Sequence, residues 1–146
     1  MARNLLKAGH NVRTYDVQDK VLKRISSEGA EIANSPADSV INAEFIFTML
    51  PSGKEVFQAA FGDQGFAQSM SKETLLIDTS TILPADTDEI SAKLADHKCR
   101  MIDAPVGRLA HNAIEGTLLF MVGGLKSDLE RARPILNVLG LSLIPI

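Results

Sequence analysis

The chain lacks most of the features that would confine it to a specialised class. Cys99 is the only cysteine, which excludes an internal disulfide and any metal site built from several thiolates, and fits a reducing compartment. No apolar run approaches the ~20 residues of a membrane span, and the opening Met1-Ala2-Arg3-Asn4-Leu5-Leu6-Lys7 is too short in apolar residues for a signal sequence. A cytosolic protein without a membrane partner is therefore expected. Charge of one sign is also scarce: 15 Lys plus Arg stand against 18 Asp plus Glu, a net of −3, so no field would draw nucleic acid or an anionic surface. There is no internal repeat, no low-complexity linker and no G-x-G-x-x-G fingerprint. Aromatic residues make up only 5%, yet 45% of the 146 residues are apolar, enough for the core of one globular domain.

What is present is an alternation of short β-branched or aliphatic runs with amphipathic stretches about ten residues long. Leu5, Leu6 and Ala8 end a helical turn closed by Gly9. Asn11–Tyr15 reads as a strand ending at Asp16, and Glu31–Ala33 as a brief second one. Val21, Leu22 and Ile25 share a helical face between them. Ser35-Pro36 opens a helix by the cap-then-proline rule. Phe45–Leu50, the most hydrophobic strand, is expected to be central and is stopped by Pro51-Ser52-Gly53 before a helix with Val56, Phe57 and Ala60. Thr74–Asp78 is a further buried strand, and Pro84 enters a helix with acids near its positive end. Cys99–Asp103, Thr117–Val122 and Leu141–Ile144 complete the strands, with a helix from about Ser127 to Leu139. The pattern predicts an α/β fold, a doubly wound, mostly parallel sheet with right-handed crossovers.

In such sheets ligands lie beyond the carboxyl ends of the strands. Asp16 ends the second expected strand of a dinucleotide fold, where a carboxylate accepts from a ribose diol and repels a 2′-phosphate, favouring NAD over NADP; capping the next helix is the competing role. Pro51, beside Leu50, either holds the backbone against a flat ring or merely ends a strand. Thr81 either reaches a nicotinamide ribose or caps a helix. Arg108 lies just after Gly107, in a loop where a guanidinium can hold a carboxylate, sulfonate or phosphate through two donors; a solvated arginine or an ion pair with Glu115 accounts for it equally well. His10, His97 and His111 have no carboxylate spaced to orient them and read as surface groups. Cys99 reads as a small buried apolar residue, and Asp103 as a loop-fixing carboxylate that accepts from backbone amides.

Taken in order, Asn4-Leu5-Leu6-x-x-Gly9-His10, Tyr15-Asp16-Val17, Thr48-Met49-Leu50-Pro51, Ile77-Asp78-Thr79-Ser80-Thr81-Ile82-x-Pro84, Asp103-Ala104-Pro105-Val106 and Gly116-Thr117-Leu118-x-x-Met121-Val122-Gly123-Gly124 resemble the β-hydroxyacid dehydrogenases, the family of 3-hydroxyisobutyrate dehydrogenase and tartronate semialdehyde reductase. The resemblance runs through the whole chain. Val106-Gly107-Arg108 with Asn112-Ala113-Ile114-x-Gly116-Thr117-Leu118-Leu119 looks most like the sulfolactaldehyde reductase branch, although Leu109 and Ala110 stand where that branch usually offers hydroxyls.

The resemblance implies a Rossmann-type domain and an NAD-dependent oxidoreductase that interconverts a small 3-hydroxy acid, or its sulfonate analogue, with the semialdehyde. By the family pattern Asp16 holds the adenosine ribose, Leu50 and Pro51 line the dinucleotide, Thr81 meets its nicotinamide half and Arg108 clamps the substrate's acidic group. The full-length family member would be a homo-oligomer. It also implies that residues 1–146 are a partial NAD(P)-binding domain, without the first strand with its Gly-rich turn and without the helical C-terminal domain whose lysine is the family's general acid. No catalytic residue is assigned within the chain, and the isolated domain is expected to be inactive. The competing reading is a non-catalytic dinucleotide-binding fragment or interaction module. In the usual strand order the first strand separates the strands ending at Asp16 and Leu50, so these two either close together into an altered sheet or are left short of partners.

Overall fold

The computed structural model describes residues 1–145. Its elements run α1 (Ala2–Lys7), β1 (Arg13–Thr14), α2 (Asp19–Ser26), β2 (Glu31–Ile32), α3 (Pro36–Ser39), β3 (Phe45–Thr48), α4 (Gly53–Phe61), a 3-10 turn (Phe66–Gln68), β4 (Leu75–Asp78), α5 (Pro84–Asp96), β5 (Arg100–Asp103), β6 (Val106–Gly107), α6 (Ala110–Glu115), β7 (Leu118–Val122), α7 (Lys126–Leu139) and β8 (Gly140–Pro145). The strand-helix alternation read from the sequence is present; β6, α6 and the 3-10 turn were not anticipated. Ser35 caps α3 as expected, its hydroxyl accepting from the Asp38 amide at 3.1 Å with Pro36 in the first turn.

The strands form three ladders: β1-β2, β3-β4-β5, and β6-β7-β8. All pairings are parallel except β6 with β7. An antiparallel bridge between Asp103 and Gly123 ties the end of β5 to β7, so the second and third ladders are continuous at that point. β4 is buried at every position. Its side chains alternate between two cores: Leu75 and Ile77 pack with Ile102, Phe120, Leu129, Leu136 and Leu139 on the α7 side, whereas Leu76 packs with Ile46, Val56, Ala60, Ile90 and Leu94 on the side of α4 and α5. A strand covered on both faces has no polar side, which explains the unbroken apolar run Leu75-Leu76-Ile77. The sheet is doubly wound and mostly parallel, as expected.

Phe45–Leu50 is not central, which corrects the expectation drawn from its hydrophobicity. Among the described residues β3 has one ladder partner, β4, and its other edge is unpaired; Phe45 and Phe47 are only half-buried. β1 likewise pairs with β2 alone. The two strands do not close on each other, so the sheet is interrupted between β1 and β3. With a partner on one side only, β1 and β2 keep two residues each, fewer than the runs 11–15 and 31–33 suggested. No helix among the described residues is long and apolar enough to cross a membrane.

Candidate functional site

The residues singled out by the sequence lie in the loops that follow β1, β3, β4 and β6. The framework of the site is a transverse row of polar side chains. Thr48, Asp78 and Asp103 are the last residues of β3, β4 and β5 and are register partners across the ladder. Thr48 Oγ1 donates to Asp78 Oδ1 at 2.8 Å, and the Ser80 amide donates to the same oxygen at 3.0 Å. Ser80 Oγ in turn accepts from the Leu50 amide at 2.9 Å, and Thr79 Oγ1 donates to the Thr48 carbonyl at 2.6 Å. Thr79 and Ser80 are thus buried fasteners that hold the loop after β3 against the loop after β4. The sequence showed them only as part of a hydroxyl cluster; the missed signal is a polar residue closing each of β3, β4 and β5.

Those fasteners leave Leu50 half-buried and put Pro51 and Thr81 at the surface. Pro51 and Thr81 line one groove of about 750 Å³ between the first turns of α4 and α5, together with Ser52, Lys54, Phe57, Leu83 and Asp86. Gly53 lets the helices come this close, since a Cβ there would overlap the Asp86 side chain. Thr81 is not a helix cap: α5 has Leu83 at its cap position and no side-chain cap bond. That removes the competing role for Thr81.

Asp16 follows β1 and lies outside this groove. Its Oδ1 accepts from the Gln18 amide at 2.8 Å, a turn ahead of α2 and not a helix cap, since Gln18 holds the cap position and α2 has no side-chain cap bond; among the described residues no hydrogen bond engages its other oxygen. Arg108 also lies outside the groove, beyond β6. Its backbone is left-handed at φ 79°, and Nη1 donates to the Thr117 carbonyl at 2.8 Å rather than pairing with Glu115. Asn112 secures the same loop through its Oδ1, which accepts from the Leu109 amide at 3.1 Å, and its Nδ2, which donates to Thr117 Oγ1 at 3.0 Å. Among the described residues Arg108 makes no ion pair, leaving donors for an anion. The structure therefore joins Pro51 and Thr81, with Leu50 behind them, and leaves Asp16, after β1, and Arg108, after β6, outside their groove.

Asp103 departs from the role expected of it. Its main chain, not its carboxylate, fixes the loop: Asp103 N–H donates to Gly123 O at 3.0 Å, and Gly123 N–H donates back at 2.8 Å. Burial, reinforced by the charge of Asp78, pushes its carboxyl up to about 6. Cys99 is buried, and burial pushes its thiol up, which suits an inert core residue. His10, His97 and His111 are exposed, as expected.

Comparison with known proteins gives this architecture its family. The model of the NAD binding domain of 6-phosphogluconate dehydrogenase matches residues 1–145. The chain belongs to that family. The domain's cofactor is a nicotinamide dinucleotide, and the acid at the end of β1 and the groove beside β3 and β4 fit one. The described residues include no Gly-rich turn ahead of α1, which begins at Ala2.

Among curated relatives, the 3-sulfolactaldehyde reductase of Escherichia coli (strain K12) is 44% identical over 144 residues, covering 99% of this chain and 48% of the relative. The 3-hydroxyisobutyrate dehydrogenase of Pseudomonas aeruginosa is 39% identical over 140 residues, covering 96% of this chain and 47% of its own length. A solved structure of Mycobacterium tuberculosis 3-hydroxyisobutyrate dehydrogenase with L-serine superposes with a TM-score of 0.94 at 34% identity, covering 99% of this chain and 48% of that one. The chain spans about half the length of these relatives.

Proposed function

We propose that this NAD-binding domain is the cofactor half of an NAD-dependent hydroxyacid dehydrogenase that interconverts a small 3-hydroxy acid, or its sulfonate analogue, with the semialdehyde. The observation that carries the reading is the groove shared by Pro51 and Thr81 at the carboxyl ends of β3 and β4, where the strand-end row holds both loops in place. Asp16 receives the adenosine ribose diol on the carboxylate oxygen that the Gln18 amide does not use, and the same charge disfavours a 2′-phosphate. Leu50 and Pro51 present an apolar wall to the dinucleotide, and Thr81 offers a hydroxyl to its nicotinamide half. The dinucleotide, when bound, supplies or accepts the hydride. Arg108 receives the carboxylate or sulfonate of the substrate, for which its guanidinium has two parallel donors. The chain binds and orients; no proton transfer is assigned to it. Cytosolic residence and homo-oligomerisation of the complete protein belong to the same proposal.

Calorimetric titration with NADH tests the cofactor role. Removing hydrogen bonds to a charged acceptor costs about 1.5–3 kcal/mol, so Asp16→Ala should weaken binding about 10- to 100-fold. NADPH should bind more weakly than NADH to the parent chain. No heat from NADH at millimolar concentration, or equal affinity in the Asp16 variant, overturns the assignment and favours a non-catalytic interaction module.

A further inference from the structure

Asp78 is fully buried, yet only one of its carboxylate oxygens is used. Oδ1 accepts from Thr48 Oγ1 and from the Ser80 amide, whereas Oδ2 is buried without a partner. An ionised carboxylate in that position lacks compensation that buried charges ordinarily require. The register supplies a neighbour: Asp78 and Asp103 are paired across adjacent parallel strands, so their side chains leave the same face of the sheet from strands about 4.8 Å apart. Thr48 sits on the opposite flank of Asp78 and occupies Oδ1. The Asp103 carboxyl is half-buried and makes no hydrogen bond among the described residues.

We propose that Asp78 and Asp103 hold one proton between them, the Asp103 carboxyl donating to the orphaned Oδ2 of Asp78, and that this proton positions the loops after β4 and β5. The mechanical link is direct. Ser80 N–H is bound to the Asp78 carboxylate, and Ala104 N–H donates to the Asp78 carbonyl at 2.7 Å, so both loops start from atoms of Asp78. With the proton present the row Thr48–Asp78–Asp103 is a closed chain of hydrogen bonds. With it gone, two like charges face each other across neighbouring strands, and repulsion turns Asp103 outward or separates the strand ends. The upward shift of Asp103, set by burial and by Asp78, agrees with this arrangement.

No other charge accounts for the shift. Arg100, on the same strand as Asp103, projects to the other face and pairs with Asp128 of α7 at 2.6 Å. The groove between α4 and α5 carries Lys54, Asp86 and Glu89, and Glu55 of α4 is bonded to Ser52. β7 meets Asp103 through the uncharged Gly123, and Arg108 is held at the Thr117 carbonyl. Asp78 and Asp103 are thus positioning residues for the loops after β4 and β5, independent of which ligand binds there.

Carboxyl-carbon NMR titration of the 13C-labelled chain reads the pair directly. The signal of Asp103 should move with a midpoint near 6, and the Ser80 and Ala104 amides should shift with the same midpoint. Asp78→Asn should lower the Asp103 midpoint and remove the amide transitions. Two results overturn the proposal: Asp103 titrating in the ordinary carboxylate range, or Asp103 titrating near 6 while the Ser80 and Ala104 amides stay still. Should Asp78→Asn not fold, the titration of the parent chain decides alone.

Discussion

Arg108 has a side chain where the backbone suits glycine, and the consequence can be measured. At φ 79° its Cβ crowds the following carbonyl, a cost of about 1–2 kcal/mol for a residue with a side chain. Replacing Arg108 by glycine relieves that strain but frees the unfolded chain, which offsets about 0.4–1 kcal/mol of the gain. Replacing it by alanine keeps the strain. Both variants lose the bond from Nη1 to the Thr117 carbonyl, so that contribution cancels when the two are compared. Arg108→Gly should therefore be more stable than Arg108→Ala by roughly 0.5–1 kcal/mol, a difference of about 2–3 °C in Tm for a domain of this size. Thermal melts of both variants followed by circular dichroism measure the gap, with urea titration checking that it is one of free energy. An alanine variant equal to or more stable than the glycine variant refutes the argument that this loop stores strain. Such a cost at a candidate anion-binding residue is the expected pattern where function, rather than stability, selects the side chain.

The Asp103 carboxyl makes stability depend on pH. Its midpoint is raised from 3.8 to about 6, so between these values the folded chain binds more protons than the unfolded one, and stability falls as pH rises through that window. The full shift corresponds to about 3 kcal/mol; because Asp103 is partly exposed, screening reduces the expected loss to about 1–2 kcal/mol, and urea titrations of Asp103→Asn at pH 4.5 and 7.5 should show it flattened. At Gly124, with φ 136°, an added Cβ would lie 2.9 Å from Ile102 Cγ2. Gly124→Ala should destabilise by about 1–3 kcal/mol, and a Tm equal to that of the parent chain would show that β5 and this turn are not packed as described.

Much of the fold was legible because burial on both faces leaves a simple mark. Leu75-Leu76-Ile77 could only be a strand between two helical layers, and Pro36 and Pro84 mark where α3 and α5 begin. The same rule misplaced Phe45–Leu50, because hydrophobicity reports burial of side chains and says nothing of which edges find partners. β6 and α6 escaped notice for a local reason: two-residue pairing and a six-residue helix give too few turns for a period to show. At the site, strand-helix alternation indicated which residues follow the strand ends. It did not indicate that Thr79 and Ser80 face inward while Thr81 faces the groove, since three successive hydroxyls differ only in their neighbours.

The sequence by itself determined the doubly wound arrangement and the strand ends from which ligand-facing loops depart, because apolar periodicity and turn residues act over a few residues. Tertiary structure decided the rest: that Pro51 and Thr81 share a groove, that Asp16 and Arg108 stand apart from it, and that Asp78 and Asp103 are register partners. These are facts of register, and register is set by pairing between strands far apart in the chain. The raised carboxyl of Asp103 is the clearest case, since its two causes, burial and the charge of Asp78, exist only once β4 and β5 lie side by side.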